Sequence, residues 1–492
     1  MKKANIIIGL LIIANTLGFA QMPLNDTHIG DAIENEYRFD HAVNVNKVDV
    51  RVIDGIVELT GSVDNLKAKE RAAKIAQLVK GVRSVSNRIK VEPPVVYSDA
   101  GIKHNVETAL FQDPATDLYE LNVSVTDKVV TLSGTVDSYQ EKSLSEDVAK
   151  SVKGVVELNN AIDITYKVNR PDLEIKADIE QALKWNVQVD DGLIEVEVNK
   201  GEVTLNGVVG SAAEKKIALY SSWVAGVSSV NTDGLTVEWW AEDKDLRKNK
   251  SQAVSDQEIE EAIKDAALYD PRVASFKISP EANQGWVTLR GTVDNLKAKM
   301  SAEKLAENTT GVLGVSNRIK VQPIDYPSAS EIESSIEQAL KNNAITDAYE
   351  ILVEVRGGIA TLSGVVDSYL EKTEAEWVVA AVEGVNEVNN QLRVHYPYGY
   401  YWYGYYPFYD IFHSPLTHVG NLIPDDELIA KHVEDEIWWS PYVDKDQVTI
   451  TVNNGEVTLE GHVDSWKEYQ KAAENAWEGG AWSVNNMLQV VE

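Results

Sequence analysis

The sequence predicts an α+β fold of six tandem small modules, each ordered helix–strand–strand–helix–strand, with two helices packed on a three-stranded sheet. Three observations support this prediction. An apolar run that ends in Gly, with Val two residues after that Gly, recurs six times. Alternating apolar residues form each such run, and apolar residues spaced four apart precede it. The six glycines are Gly61, Gly134, Gly207, Gly291, Gly364 and Gly461.

The spacing of these glycines indicates a duplicated block of three modules. The first three glycines are evenly spaced, and the step from the first to the fourth equals the step from the second to the fifth. Each module is near the lower size limit for independent folding, so we expect six modules in a row with docking between neighbours. The predicted segments are a signal peptide (1–20), modules 1 to 3 (26–95, 99–167, 171–238), a charged linker (239–254), modules 4 and 5 (255–323, 328–395), an aromatic linker (396–424) and module 6 (425–491).

The first half of each module reads as a helix followed by a hairpin. Ile102, Val106 and Leu110 lie four residues apart, as expected for one face of an amphipathic helix. The next segment alternates apolar and polar residues, which is typical of a half-buried strand. Pairs such as Asp54-Gly55 then favour a tight hairpin turn, because they tolerate positive φ. Module 2 carries Asp127-Lys128 instead, so we expect a different turn there.

The second half of each module reads as a helix followed by a short strand. An acid follows the recurrent glycine in five modules, and we expect it to be the N-cap or a first-turn acid. These acids are Asp64, Asp137, Asp294, Asp367 and Asp464; in module 3, Ser211 is the candidate cap. A later glycine, Gly81 in module 1, ends the helix. Val85, Ile89 and Val91 then predict the last strand.

The repeated unit resembles the BON domain (bacterial OsmY and nodulation). That family is a helix–strand–strand–helix–strand module of about 70 residues, with one glycine closing the hairpin and a later one ending the second helix. Gly61 and Gly81 and their five counterparts match these positions. The resemblance covers residues 26–491 apart from the two linkers. It implies a periplasmic, non-enzymatic module linked to envelope stress, phospholipid binding or chaperone-like duties, and it carries over no functional site.

The N-terminus predicts export. Lys2 and Lys3 precede an apolar run over residues 6–14, and small residues at Gly18 and Ala20 match a signal-peptidase site before Gln21. An uncleaved membrane anchor is the alternative, although the run is short for a spanning helix of about 20 residues. Because the chain has no cysteine, it cannot be a lipoprotein. We therefore expect a periplasmic protein with a cleavable signal peptide.

Composition excludes several classes of function. With 77 acidic and 46 basic residues the net charge is −31, which disfavours nucleic-acid binding. No nucleotide-binding, hydrolase or metalloprotease motif occurs, and most carboxylates are expected on solvent-facing helix positions. His413 and His418 lie in a Pro-containing loop without metal-ligand spacing. The sequence predicts no enzyme activity, no cofactor and no metal site.

Two groups of residues are candidates for surface binding. Module 1 is nearly neutral in a strongly acidic chain, and its second helix carries the cations Lys67, Lys69, Arg71 and Lys74, which could contact anionic headgroups. The alternative is a solvated helix face. The aromatic linker contributes rings suited to a headgroup interface, or to packing against neighbouring modules. The selected rings are Tyr400, Tyr401, Trp402 and Tyr405.

Two functional hypotheses follow. In the first, the modules bind anionic phospholipid or another envelope surface weakly and multivalently. In the second, a soluble, acidic, osmotic-stress chaperone-like protein protects exported client proteins from aggregation. The basic helix and the aromatic linker favour the first hypothesis, whereas overall acidity favours the second.

Overall fold

A computed structural model describes residues 24–40, 42–43, 47–116, 121–166, 170–242, 254–274, 276–394 and 426–491. These residues contain twelve α-helices and six small mixed sheets, two helices and one sheet in each module. The predicted α+β class and the order of elements are confirmed. The predicted signal peptide, most of the charged linker and all of the aromatic linker lie outside the described residues.

Modules 1 to 3 have the following elements. Module 1 comprises α1 Asp26–Phe39, β1 Val48–Ile53, β2 Ile56–Val63, α2 Leu66–Leu78, β3 Ser84–Asn87 and β4 Lys90–Val91. Module 2 comprises α3 Asp99–Gln112, β5 Leu121–Thr126, β6 Val129–Val136, α4 Tyr139–Lys150 and β7 Glu157–Ile164. Module 3 comprises α5 Asp172–Trp185, β8 Ile194–Asn199, β9 Glu202–Val209, α6 Ala212–Ser221, β10 Ser229–Asn231 and β11 Leu235–Val237.

Modules 4 to 6 repeat this plan. Module 4 comprises α7 Asp256–Tyr269, β12 Ile278–Asn283, β13 Trp286–Val293, α8 Leu296–Glu307, β14 Gly314–Asn317 and β15 Lys320–Val321. Module 5 comprises α9 Ala329–Asn342, β16 Ile351–Arg356, β17 Ile359–Val366, α10 Tyr369–Val379, β18 Glu387–Asn390 and β19 Arg393–Val394. Module 6 comprises α11 Asp426–Trp439, β20 Val448–Asn453, β21 Glu456–Val463, α12 Trp466–Glu478, β22 Ser483–Asn486 and β23 Gln489–Val490.

The second strand is central in every sheet. In module 1, β2 pairs antiparallel with β1 and parallel with β3 and β4, and the other modules repeat this topology. Both helices cover one face of the sheet, where they bury the predicted apolar stripe. Ile102, Val106 and Leu110 of α3, for example, are fully buried against Val130 and Leu132 of β6. The other face of the sheet is left exposed.

The N-caps lie one residue later than the sequence analysis predicted. Asn65 caps α2, and its side chain accepts a hydrogen bond from the Ala68 amide. The preceding Asp64 is outside the helix, and the four equivalent acids are displaced in the same way. Asn and Ser offer a side-chain oxygen at the distance a cap requires, so the acid in front of them is not needed. Ser211 caps α6 as predicted.

The hairpin turn of module 2 does not differ from the others, contrary to the prediction. Asp127 and Lys128 adopt positive φ, 51° and 65°, although neither is glycine. The Asp99 carboxylate in the first turn of α3 accepts hydrogen bonds from both turn amides, at 3.0 and 2.9 Å, and stabilises this conformation. Four other modules use an equivalent aspartate. Module 5 has Ala329 at this position, and its turn is the flexible pair 357–358, both glycine.

The modules are not arranged as a row, which corrects the expectation from the sequence. The first residue of each second helix contacts the following module of its block, and the third module of a block contacts the first. These residues and contacts are Leu66 in the module 2 core, Tyr139 stacked on Trp223, Ala212 in the module 1 core, Leu296 in the module 5 core, Tyr369 stacked on Trp477, and Trp466 against the module 4 core. Modules 1 to 3 therefore form one ring (ring A) and modules 4 to 6 a second (ring B).

The two rings stack through equivalent backbone hydrogen bonds. In each contact, the amide just after a second helix donates to the carbonyl of the last residue of a first helix in the other ring. Lys80 donates to Trp439 at 3.3 Å, Lys153 to Asn342 at 2.9 Å, and Thr310 to Trp185 at 2.9 Å. Module 1 thus faces module 6, module 2 faces module 5, and module 3 faces module 4. One chain reproduces the symmetry of a dimer of trimers.

We predict that Asp99 stabilises the glycine-free turn of module 2. Asp99→Ala removes two charge-assisted hydrogen bonds and should destabilise the hairpin by about 2 kcal/mol. Hydrogen exchange of the Asp127 and Lys128 amides should then accelerate about 30-fold. Adding Lys128→Gly should recover part of the loss, because glycine adopts positive φ without strain. Unchanged exchange in Asp99→Ala would show that the carboxylate is dispensable.

Candidate functional site at the module interfaces

The predicted basic helix face of module 1 lies partly inside module contacts. The Lys67 ammonium is 3.4 Å from Glu70 and 3.7 Å from Asp147 of module 2. The Arg71 side chain is only 13% exposed and donates to Asp40 at 2.5 Å and to Glu478 of module 6 at 2.7 Å. These two cations therefore neutralise carboxylates of their own and neighbouring modules.

The other predicted residues lie elsewhere. Lys69 is half-buried, and its backbone carbonyl accepts a 2.6 Å hydrogen bond from the Asn87 amide group. Lys74 is exposed on the same helix and lies near Glu474 and Glu478 of module 6. Two of the four predicted cations, Lys67 and Arg71, therefore form ion pairs with carboxylates of other modules, and Lys74 lies beside such a contact. The four predicted aromatic residues, Tyr400, Tyr401, Trp402 and Tyr405, lie outside the described residues. Surface binding by any of the eight stays a prediction.

Three exposed cations of module 1 lie on its sheet. Arg51 of β1 and Arg88 between β3 and β4 are each 71% exposed, and both approach Glu58 of the central strand, at 4.0 and 3.0 Å. Lys90 of β4 is also exposed. The two guanidinium groups therefore cluster around Glu58 on the exposed sheet face. Sequence analysis assigned the binding face to the helix, because it could not show which helix positions meet another module.

A cavity of about 260 Å³ lies where modules 2 and 5 face each other. Its lining repeats across the stacking axis: Ala109 of α3 is opposite the equivalent Ala339 of α9, and Val148 is opposite Val378. Lys67 of module 1 and the equivalent Lys297 of module 4 also line the cavity, beside Asp147 and Asp113. The ring symmetry thus creates the cavity.

A buried ion cluster occupies the Lys297 end of this cavity. Asp113, 3% exposed, accepts hydrogen bonds on one carboxylate oxygen from Lys297 at 2.9 Å and Arg272 at 3.1 Å. Although burial alone would raise the pKa of Asp113, the two cations hold it below its ordinary value. Both cations also lie over the Trp377 ring of module 5, within 5.4 Å of its centroid. This cluster joins modules 2, 4 and 5, and hence both rings.

Sequence analysis missed the buried carboxylates. Glu214 and Glu371 were expected on solvent-facing helix positions, but both are buried and accept hydrogen bonds from backbone amides of their own modules. The signal was present: each lies three residues after a serine N-cap, the spacing of a capping box. Asp113 had no such signal, because its partners Arg272 and Lys297 lie 159 and 184 residues away in sequence.

The described residues offer no sign of a metal or membrane-spanning site. Within them, no group of three or more His, Asp or Glu side chains is placed to hold a metal ion. None of the helices described combines the length and apolar character needed to cross a bilayer.

Comparisons with known proteins give the following relationships. A family model described as "BON domain" matches residues 25–93, 98–166, 171–238, 255–323, 328–396 and 425–492. The chain is 30% identical over 146 residues to "Osmotically-inducible protein Y" of Escherichia coli (strain K12), spanning 28% of this chain and 73% of that protein. The C-terminal domain of CdsD, a structural protein of the type III secretion system of Chlamydia trachomatis, is 13% identical and covers 44% of this chain and 100% of its own, with a TM-score of 0.12.

We predict that the Asp113 cluster is a major stabiliser of the ring contacts. Asp113→Asn leaves Lys297 and Arg272 buried without their counter-charge and should cost about 3–5 kcal/mol. Because the pKa of Asp113 is lowered in the folded chain, its contribution is present above the ordinary aspartate pKa and is lost as the pH falls through the lower folded value. Urea unfolding at pH 7 and at pH 3 measures both effects.

The matched control for this prediction removes charge from both sides. Asp113→Asn combined with Lys297→Met should lose less stability than Asp113→Asn alone, because fewer uncompensated charges remain buried. Equal losses of stability in the single and double variants, or no loss in either, would contradict the role of Asp113 as the counter-charge of Lys297 and Arg272.

Proposed function

The chain belongs to the BON domain family, and from that premise we propose a non-enzymatic role in the periplasm, supporting the envelope under osmotic stress. The name of its relative, "Osmotically-inducible protein Y", supports the link to osmotic stress. The export signal predicted for residues 1–20 supports the periplasm. In this proposal the protein acts by weak multivalent binding to anionic phospholipid or another envelope surface.

One observation carries the proposal: the same sheet face is exposed in all six modules. The second residue of the first strand is exposed in each sheet, so equivalent positions face solvent around both rings. These residues are Asp49, Asn122, Glu195, Ser279, Leu352 and Thr449. The helices, in contrast, are used for contacts between modules. Binding therefore falls to the sheet faces, which no other module covers at these positions.

Repetition compensates for weak individual sites. Holding several modules in one closed assembly turns each binding event after the first into an intramolecular step, which raises avidity without any strong site. The exposed sheet face of module 1 is the candidate contact for anionic headgroups, because it presents Arg51, Arg88 and Lys90. Each cation near such a surface contributes about 1 kcal/mol. The net charge of −31 opposes this attraction, so binding requires module 1 to face the surface.

A second candidate function is protection of exported clients from aggregation. The observation that favours it is an apolar patch on the exposed sheet face of module 5, formed by Leu352 at 68% exposure and Val365 at 40%. The strand register places Leu352 opposite Ser363, two residues from Val365 on the same face. Such a patch offers an unfolded chain a place to bind.

We predict that the mature protein co-sediments with vesicles containing phosphatidylglycerol and that high salt weakens this binding. Arg51→Ala/Arg88→Ala/Lys90→Ala should lose most of it, since it removes the three cations on the exposed sheet face of module 1. A variant lacking residues 396–412, which include Tyr400, Tyr401, Trp402 and Tyr405, should also bind less. Lys69→Ala/Lys74→Ala tests the helix face. Lys103→Ala/Lys176→Ala is the matched control, because it removes exposed cations from modules 2 and 3.

The same preparations should be tested for suppression of client aggregation. Equal partition of every variant, or no sedimentation with anionic vesicles, would contradict the membrane proposal. Suppression of aggregation in that case would support the client-protection function in its place.

A further inference from the structure

Two glutamates meet where the first and last modules face each other. Glu36 of α1 and Glu436 of α11 occupy the same position of their helices, and both line one small cavity between modules 1 and 6. Glu436 is buried, and Glu36 is partly buried. Two carboxyl groups that share a site shielded from water repel each other when both are ionised, so the pair favours a proton on one of them.

The other two stacking contacts do without carboxyl groups. The equivalent residues are Ala109 and Ala339 where modules 2 and 5 meet, and Ala182 and Ala266 in modules 3 and 4. Alanine therefore suffices for two helices to pack in this geometry. The acidic pair is confined to the contact that joins the two ends of the chain.

Titratable groups from every element packed against the pair lie around it. They are Tyr37 of α1, Asp40 just after it, Arg71 and Lys74 of α2, Tyr369 of α10, and Lys471, Glu474 and Glu478 of α12. Of these, the acids Asp40 and Glu478 and the base Arg71 act on Glu36 directly. Arg71 is directed to Asp40 and Glu478, at 2.5 and 2.7 Å. A cavity of about 20 Å³ adjoins the pair and leaves room for roughly one water molecule.

This environment disfavours ionisation. Burial raises the pKa of Glu36 to about 7, and the nearby Glu478 carboxylate adds to the shift. Burial and the facing Glu36 raise the pKa of Glu436 well above its ordinary value. The closed contact therefore holds a proton that separated modules release. Closure is favoured at low pH, and the opening constant rises by about tenfold per pH unit for each such proton between the ordinary glutamate pKa and the raised one.

We propose that Glu36 and Glu436 form a proton-dependent latch that joins module 1 to module 6 when protonated and releases them when ionised. The latch goes beyond the proposed function and does not depend on it. Release separates Glu478 from Arg71 and uncovers this guanidinium group on α2. The backbone bond from Lys80 to Trp439 breaks in the same movement.

The latch is testable by the distance between modules 1 and 6. The chain contains no cysteine, so spin labels at Lys90→Cys and Gln489→Cys, both exposed, report this distance alone in the full mature chain. Pulsed electron paramagnetic resonance from pH 5 to 8.5 should show one short distance between the two labels at low pH. A longer distance should gain population as the pH rises through this range.

Four variants decide the origin of the change. Glu36→Gln/Glu436→Gln keeps a neutral pair and should retain the short distance at every pH. Glu36→Ala/Glu436→Ala introduces the alanines found at the other two stacking contacts and should also remain closed at every pH. This variant tests the proposal if the Gln variant fails to fold. Asp31→Asn removes an exposed carboxylate from the same helix and should titrate like the parent, as should Lys69→Ala. A pH-independent distance in the parent, or an unchanged midpoint in the Gln variant, would overturn the proposal.

Discussion

Insertion of the first residue of each second helix into the next module is the contact on which the architecture depends. A module of about 70 residues buries too little surface to be very stable alone. Leu66 and Leu296 extend the cores of modules 2 and 5 directly, whereas Tyr139 and Tyr369 stack on Trp223 and Trp477. Since the third module of each block contacts the first, no module is left at an open end. Closure into rings follows from repeating one contact three times.

Ring closure decides which surfaces remain for binding. The helices meet other modules, so their charged residues become partners in ion pairs, as Arg71 and Lys297 show. The sheets keep one face in contact with solvent. The chain thus uses several helix cations as ion-pair partners between modules, while it presents six related sheet faces to solvent. This division between helices that assemble and sheets that are accessible underlies the proposed multivalent binding.

The sequence predicted local structure well, because local structure depends on nearby residues. Apolar spacing located α3, and the recurrent glycines located the hairpins and helix ends. The turn of module 2 was mispredicted because its stabilising partner, Asp99, lies 28 residues earlier than Asp127. The rings could not be predicted, because the sequence around Leu66 predicts only a position in a helix. It does not show that Leu66 enters the core of the next module. The same limit explains why Lys67 and Arg71 read as a free basic face, although both pair with carboxylates of other modules.

Small-angle X-ray scattering of the mature protein tests the ring architecture most directly. Two stacked rings of about 470 residues in total should give a radius of gyration of about 23 Å, the value for a compact chain of that length, increased slightly by the linkers. Six modules in a row, each about 25 Å across, would give about 40 Å. The smaller radius, with a compact distance distribution, is the predicted result. The larger radius, with a distance distribution extended along one axis, would contradict the closed rings.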